Sequence, residues 1–261
     1  MRYLRLLRIF TRTELQFALE YRANLALGLI EEVVIVATSL LAVLVLYSHT
    51  DAINGWTLAQ MTVLLGVYYL VQGAQAVVFE TSFERFMEHV RMGTLDFILI
   101  KPVDSQFMIS TRHIQIPQIG QVVLGLVVLG TGIAQVGEGL GAFEALSFAV
   151  TLVCGLLLVY SLLLVLSTLS FWFVRVENLL AVFWSFLDAG RFPVDMYPGW
   201  LRITLSTVVP IGIAITIPAE AVAGRLEWFG LAAMLVGTVV VSLFAGWFWR
   251  RGLRSYTGAS A

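Results

Sequence analysis

Five apolar runs, 25–47, 58–79, 114–133, 146–174 and 229–249, each supply the roughly 20 residues that a helix needs to cross ~30 Å of hydrocarbon. This feature excludes most architectures, because no water inside a bilayer satisfies an exposed N–H or C=O, and such runs therefore cross as helices. Composition agrees: with 59% hydrophobic and 13% charged residues, a chain of 261 residues has too little polar surface for a soluble globule. The fold class expected is all-α, a polytopic integral membrane protein.

The cations give the orientation. If Met1 starts in the cytoplasm, Arg2, Arg5, Arg8, Arg12 and Arg22 precede the first span. Arg85, Arg91, Lys101 and Arg112 then lie in the loop after the second, Arg175 after the fourth, and Arg250, Arg251 and Arg254 after the last. Only Arg191, Arg202 and Arg225 are left outside. The positive-inside rule selects this topology over its inverse, with both termini cytoplasmic.

One stretch is ambiguous. Residues 178–190 are short for a crossing, and the apolar sequence 203–222 that follows is bracketed and broken by Pro193, Pro198, Pro210 and Pro218. Both chain ends are basic, so the number of crossings is even, and counting 203–222 as a further span exports the C-terminal arginines. The expectation is six transmembrane helices, with 191–228 forming a Pro-rich re-entrant helix pair in the outer leaflet. Irregular backbone at membrane depth needs protein or a watery cavity around it.

Residues 1–24 read as an interfacial amphipathic helix on the inner leaflet. Arg2, Arg5, Arg8 and Arg12 share one face, and Tyr3, Leu6, Leu7, Phe10 and Phe17 the other. A signal peptide needs a continuous apolar stretch after its charged start, which this segment lacks. No repeat of 20–50 residues divides the chain, so 1–261 is read as one domain. Cys154 is the single cysteine, which leaves no disulfide framework and no cysteine metal site. The segregated cations form no basic and aromatic groove for nucleic acid.

The substantial cytosolic feature is the loop 80–112. Glu80, Glu84 and Glu88 recur at helical spacing among Arg85, His89 and Arg91, as expected if the second helix projects into water. Gly93 and Pro102 then bracket a short segment, Gly93, Thr94, Leu95, Asp96 and onward to Lys101 and Pro102, in which Leu95, Ile98 and Leu99 are expected to form one apolar edge. An apolar edge facing cytosol calls for a partner.

Polar residues within the spans are fewer. Glu31 and Glu32 sit about 10 Å deep in the first span, as candidates for a polar contact at a subunit seam or gate. Gln72 and Gln75 share a face of the second span, and Gln115, Gln118 and Gln121 open the third. Interhelical packing is the first reading of these amides, and a pathway lining is the alternative. Asp188 and Arg191, three apart, are expected to pair. His49, His89 and His113 lie at or near span ends with no metal-ligand spacing.

The order of these parts resembles the type-2 ATP-binding-cassette (ABC) exporter permeases. The run Gly93-Thr94-Leu95-Asp96 followed by Lys101-Pro102, with Phe192-Pro193, Tyr197-Pro198, Val209-Pro210 and Ile217-Pro218, is similar to a bacterial branch of that family. The resemblance implies a non-catalytic permease subunit in a bacterial inner membrane, paired with a second permease as homodimer or heterodimer and surrounded by lipid. It also implies that a separate ABC ATPase subunit binds ATP and Mg and docks on a coupling helix, here Gly93 to Asp104. An amphipathic or lipid-like substrate is the cargo expected. The chain has no phosphate-binding P-loop of its own, since Lys101 is the only lysine and Pro102 follows it. An ATP-independent carrier, a lipid-handling membrane enzyme and an assembly subunit are the alternatives.

Overall fold

The computed structural model describes residues 2–137, 141–173 and 176–256. The expected positions of Arg175, of the last residue of the fourth run and of Ala261 lie outside the described residues. Among the described residues, the regular structure is helical apart from one two-stranded hairpin. Among the described residues, five helices are long and apolar enough to span a membrane, or six if the bent pair 199–208 and 211–222 counts as one span.

Helix α1 (Arg2–Glu20) meets α2 (Arg22–Tyr47) at a single non-helical residue, Tyr21. Its arginines Arg5, Arg8 and Arg12 are exposed, while Leu6, Leu7 and Phe10 are half-buried on the opposite face, as the amphipathic pattern requires. After α2 the chain turns through β1 (Ala52–Ile53) and β2 (Trp56–Thr57), joined by Asn54 and Gly55 at φ +49° and +77°. Asn-Gly tolerates these left-handed angles, and they match the twist of a two-residue hairpin. Thr57 then caps α3 (Leu58–Gln75) through a reciprocal pair of bonds with Gln60.

α3 continues through a π-helical turn (Ala76–Glu80) into α4 (Thr81–Arg91), so that 34 residues form one rod of about 51 Å. This exceeds the hydrocarbon thickness, so the rod is long enough for the projection expected of the second helix. Two short helices follow, α5 (Asp96–Leu99) and α6 (Ser105–Thr111), and then a 3-10 turn (Ile116–Gln118) leads into α7 (Ile119–Val136).

α3 is the central pillar, and glycine is what lets α7 lie against it. A Cβ on Gly66 would sit 2.5 Å from the Leu129 backbone nitrogen, and one on Gly125 would sit 2.8 Å from that of Leu70. Gly73 and Gly132 repeat the arrangement one heptad away on each helix. Lipid tails are as apolar as leucine, so close backbone packing of this kind, more than hydrophobic transfer, holds such helices together.

α8 (Ala142–Thr168) also packs on the pillar and carries α12 (Trp228–Ser255), with Ser161 and Ser242 hydroxyls 3.0 Å apart between them. The first and last long helices, α2 and α12, are largely uncovered by the rest of the chain.

Between α8 and the bent pair lies a shorter apolar helix. α9 (Glu177–Ala189) is only ~20 Å long, less than a bilayer core. Its Leu180, Ala181 and Trp184 face Glu84, Met87 and Arg91 near the end of the rod. Asp188 at its far end accepts from the Tyr68 hydroxyl at 2.8 Å, and the Asp195 carbonyl, further on, accepts from Asn54 in the hairpin. The chain thus climbs the length of the pillar by adding residues 190–195 to a short helix. Arg191 closes on Asp188 at 3.3 Å, as expected, and also donates to Tyr68.

The proline-rich segment then dips and returns. α10 (Gly199–Ile203), a π-helical turn (Thr204–Val208) and α11 (Ile211–Val222) form a pair bent by 90°. Pro198 and Pro210 each precede a helix start, where a missing N–H costs nothing. Pro218 lies inside α11 and deprives the Ala214 carbonyl of its usual donor. That carbonyl points at Gly155 of α8, where no side chain intervenes. α11 ends back at the hairpin, where Gln60 donates to the Ala223 carbonyl and the Arg225 guanidinium lies 4.8 Å from the Trp56 ring centre.

Candidate functional site

One end of the molecule collects the basic chain segments, and there the short helices form a compact ledge. Its first element is a helix stop. Gly93 has φ +67°, its N–H donates to the Val90 carbonyl, and Thr94 N–H reaches back to His89 O at 2.9 Å. These are the two bonds of a Schellman cap, and they turn the chain sharply off α4. The Thr94 hydroxyl and His89 Nδ1 close the same corner at 2.8 Å. Gly93→Ala places a Cβ in the left-handed region and should cost about 1 kcal/mol. The expected result is faster hydrogen exchange at residues 93 and 94, largely recovered in Gly93→Asn.

Beyond the cap, Leu95 is fully buried and Ile98 nearly so, packed in the same core as Met108 and Ile109 of α6. Asp104 caps α6 by accepting from Phe107 N–H at 2.8 Å. The turn is therefore anchored from below. Here the structure corrects the expected apolar edge. Leu95 and Ile98 face the protein and Leu99 is only partly open, whereas Met92, Phe97 and Ile100 are 59%, 69% and 78% exposed. In a helix of one turn the choice of inner face is made by α6, which supplies the apolar floor.

Of the other residues expected here, Asp96 opens α5, and Lys101 and Pro102 follow it at the rim. Partial burial, and next the Arg112 charge, lower the pKa of the Lys101 ammonium. Residues Gly93, Thr94, Leu95, Asp96, Ile98, Leu99, Lys101 and Pro102 thus form one continuous structure. The sequence pattern missed Phe97 and Ile100, whose exposure depends on which side of α5 is covered.

The ledge is tied to the rest of the protein at three places. Tyr3 of α1 stands edge-on to Phe107 at 4.8 Å, and Glu14 lies 3.5 Å from His113 Nδ1. Burial lowers the His113 pKa, with Glu14 acting in the opposite sense and Arg112 reinforcing the drop. Tyr160 of α8 accepts from Gln106 at 3.0 Å and lies 3.1 Å from the Ser110 hydroxyl. Finally, the Ser82 hydroxyl donates to His113 O and accepts from His113 N–H, and Gln115 bonds to Val77 and Thr81.

The polar residues considered for a pathway are dispersed. Gln72 accepts from Gln121 at 2.9 Å between α3 and α7, and Gln75, with no exposure at all, donates to the Leu156 carbonyl of α8. Both are used in packing the subunit. Gln118 ends the 3-10 turn before α7. Glu31 is exposed on α2, and Glu32 is partly buried with one carboxylate oxygen lacking a hydrogen-bond partner. Pro193, Pro198, Pro210 and Pro218 all belong to the dipping segment at the opposite end. That end also holds a cavity of about 300 Å³ lined by Asp195, Arg202, Glu220, Arg225 and Glu227, with Asp195 and Arg202 paired at 2.5 Å.

A family model described as ABC-2 family transporter protein matches residues 33–260. No curated protein matches the chain.

Proposed function

Because this chain belongs to the ABC-2 family of transporter proteins and is a multi-pass membrane permease, we propose that it is the membrane half of an ATP-driven exporter. A separate ABC ATPase binds ATP and Mg, docks on the basic end and works the permease from the cytoplasmic side of a bacterial inner membrane. The observation that carries this reading is the ledge. Met92, Phe97 and Ile100 project into solvent from a turn whose Leu95 and Ile98 are locked beneath it. Exposed apolar groups on a rigid support favour a protein partner over lipid here, because the basic rim of Arg91, Lys101 and Arg112 belongs in water.

A second permease subunit, identical or related, completes the transport unit. The open apolar faces of α2 and α12 provide surface for that subunit and for lipid. Cargo passes at the interface of the two subunits, and an amphipathic or lipid-like molecule suits its apolar walls. The sequence holds no P-loop, which supports hydrolysis by a partner chain.

The test is reconstitution. In liposomes the purified chain alone should neither hydrolyse ATP nor move a fluorescent phospholipid analogue, and addition of the cognate ATPase should produce both activities. Lipid movement by the chain alone, unchanged by ATPase and ATP, would replace this reading with that of an ATP-independent carrier.

A further inference from the structure

The long rod that joins the ledge to the pillar is interrupted by the π-helical turn Ala76–Glu80, and the interruption coincides with the bonds that hold the start of the third span. Gln115 N–H donates to the Val77 carbonyl at 2.8 Å, and its side-chain amide donates to the Thr81 hydroxyl at 2.8 Å. Ser82, one residue on, is bonded to His113 in both directions. The Phe79 ring, inside the turn, packs at 4.8 Å on Tyr160, the residue that receives α6.

A carbonyl inside a regular helix is satisfied four residues on. Here Val77 O, inside the π-helical turn, accepts instead from a donor in another chain segment, the Gln115 N–H. On the residue before the turn, Gln75 Oε1 is completely buried and has no hydrogen-bond partner. An idle buried acceptor is costly in one arrangement and becomes useful in a second. π-turns inside α-helices are also found frequently at functional positions.

We infer that Ala76–Glu80 is a joint, and that Gln115 is the positioning residue that works it: displacement of the ledge shifts Gln115, Val77 O passes from Gln115 to a donor within the rod, and the rod changes register between α3 and α4. This rests on the proposed docking of an ATPase at the ledge. The joint explains how a push on α5 and α6 reaches α3 without breaking the glycine contacts to α7, which lie beyond the turn at Gly66 and Gly73.

Gln115→Pro is the clean variant. Residue 115 has φ −84°, close to what proline adopts, so the substitution removes the N–H and the amide with little backbone strain. The experiment uses the permease–ATPase complex, nucleotide-free and trapped with ATP and vanadate, with hydrogen exchange read in peptides covering 76–82. Wild type should show about a tenfold change in exchange on trapping. Gln115→Pro should retain the ATPase and lose that change, and Gln115→Ala, which keeps the N–H, should retain part of it. Identical exchange in the two wild-type states overturns the joint even if the proline variant does not fold, and so does a wild-type response from Gln115→Pro. If the ATPase does not stay with wild type, the docking proposal itself fails, and the joint with it.

Discussion

Gly125→Leu should yield almost no monodisperse protein after detergent extraction, while Gly130→Leu on the same helix should behave as wild type. At Gly125 the first added atom already lies 2.8 Å from the Leu70 nitrogen and 3.1 Å from the Tyr69 carbonyl carbon, both in the backbone. No rotamer change relieves a backbone clash, so α3 and α7 must separate. Overpacking usually costs 1–3 kcal/mol, and a helix pair forced apart lies at about the upper limit of that range or beyond it. Separation also weakens the Gln72–Gln121 bond and the contacts at Gly66, Gly73 and Gly132, which depend on the same approach. Gly130 has nothing within 4 Å of its would-be side chain. Size-exclusion profiles of the two variants decide the matter, and equal yields would remove glycine packing as the basis of the pillar.

Phe97→Asp with Ile100→Asp should leave the fold intact and lower ATPase affinity by about 100-fold. Each side chain is largely exposed, so the free permease loses little. In a docked complex each is worth about 1.5–3 kcal/mol of burial, and every 1.4 kcal/mol is a factor of ten. The full gain is offset by ordering on association, which is why the estimate stops near two decades. Leu95→Asp is the contrasting variant: Leu95 is fully buried, and a carboxylate there should disorder the ledge itself. Titration of the ATPase against immobilised permease separates the two. Unchanged affinity in the double variant would place docking elsewhere.

These variants also mark where the sequence was legible. Glu80, Glu84 and Glu88 announced that the second helix continues through residue 91, because charge at helical spacing is a property of one segment alone. The Gly93 stop was readable for the same reason, since a left-handed cap is local chemistry. Asn54-Gly55 carried an equally local signal for the hairpin. The apolar edge of α5 was not readable. Leu95, Phe97, Ile98 and Ile100 have similar hydropathy, and only the position of α6 separates those inside from those outside. The glutamines behaved likewise: Gln72 faces Gln121 because four glycines bring α3 and α7 together, and a single strand of sequence holds no record of that register.

By itself the sequence determined the membrane class, the segments that enter the bilayer and the place of the one substantial basic-end loop. Those follow from transfer of each segment into a slab of known thickness, a comparison that needs no second segment. Tertiary structure alone decided that α9 and residues 190–195 together run the length of the pillar, that Phe97 and Ile100 rather than Leu95 and Ile98 look outward, and that Gln115 bonds a carbonyl of the π-helical turn. Each of these depends on the distance between groups remote in the chain, and that distance is set by how closely backbones approach.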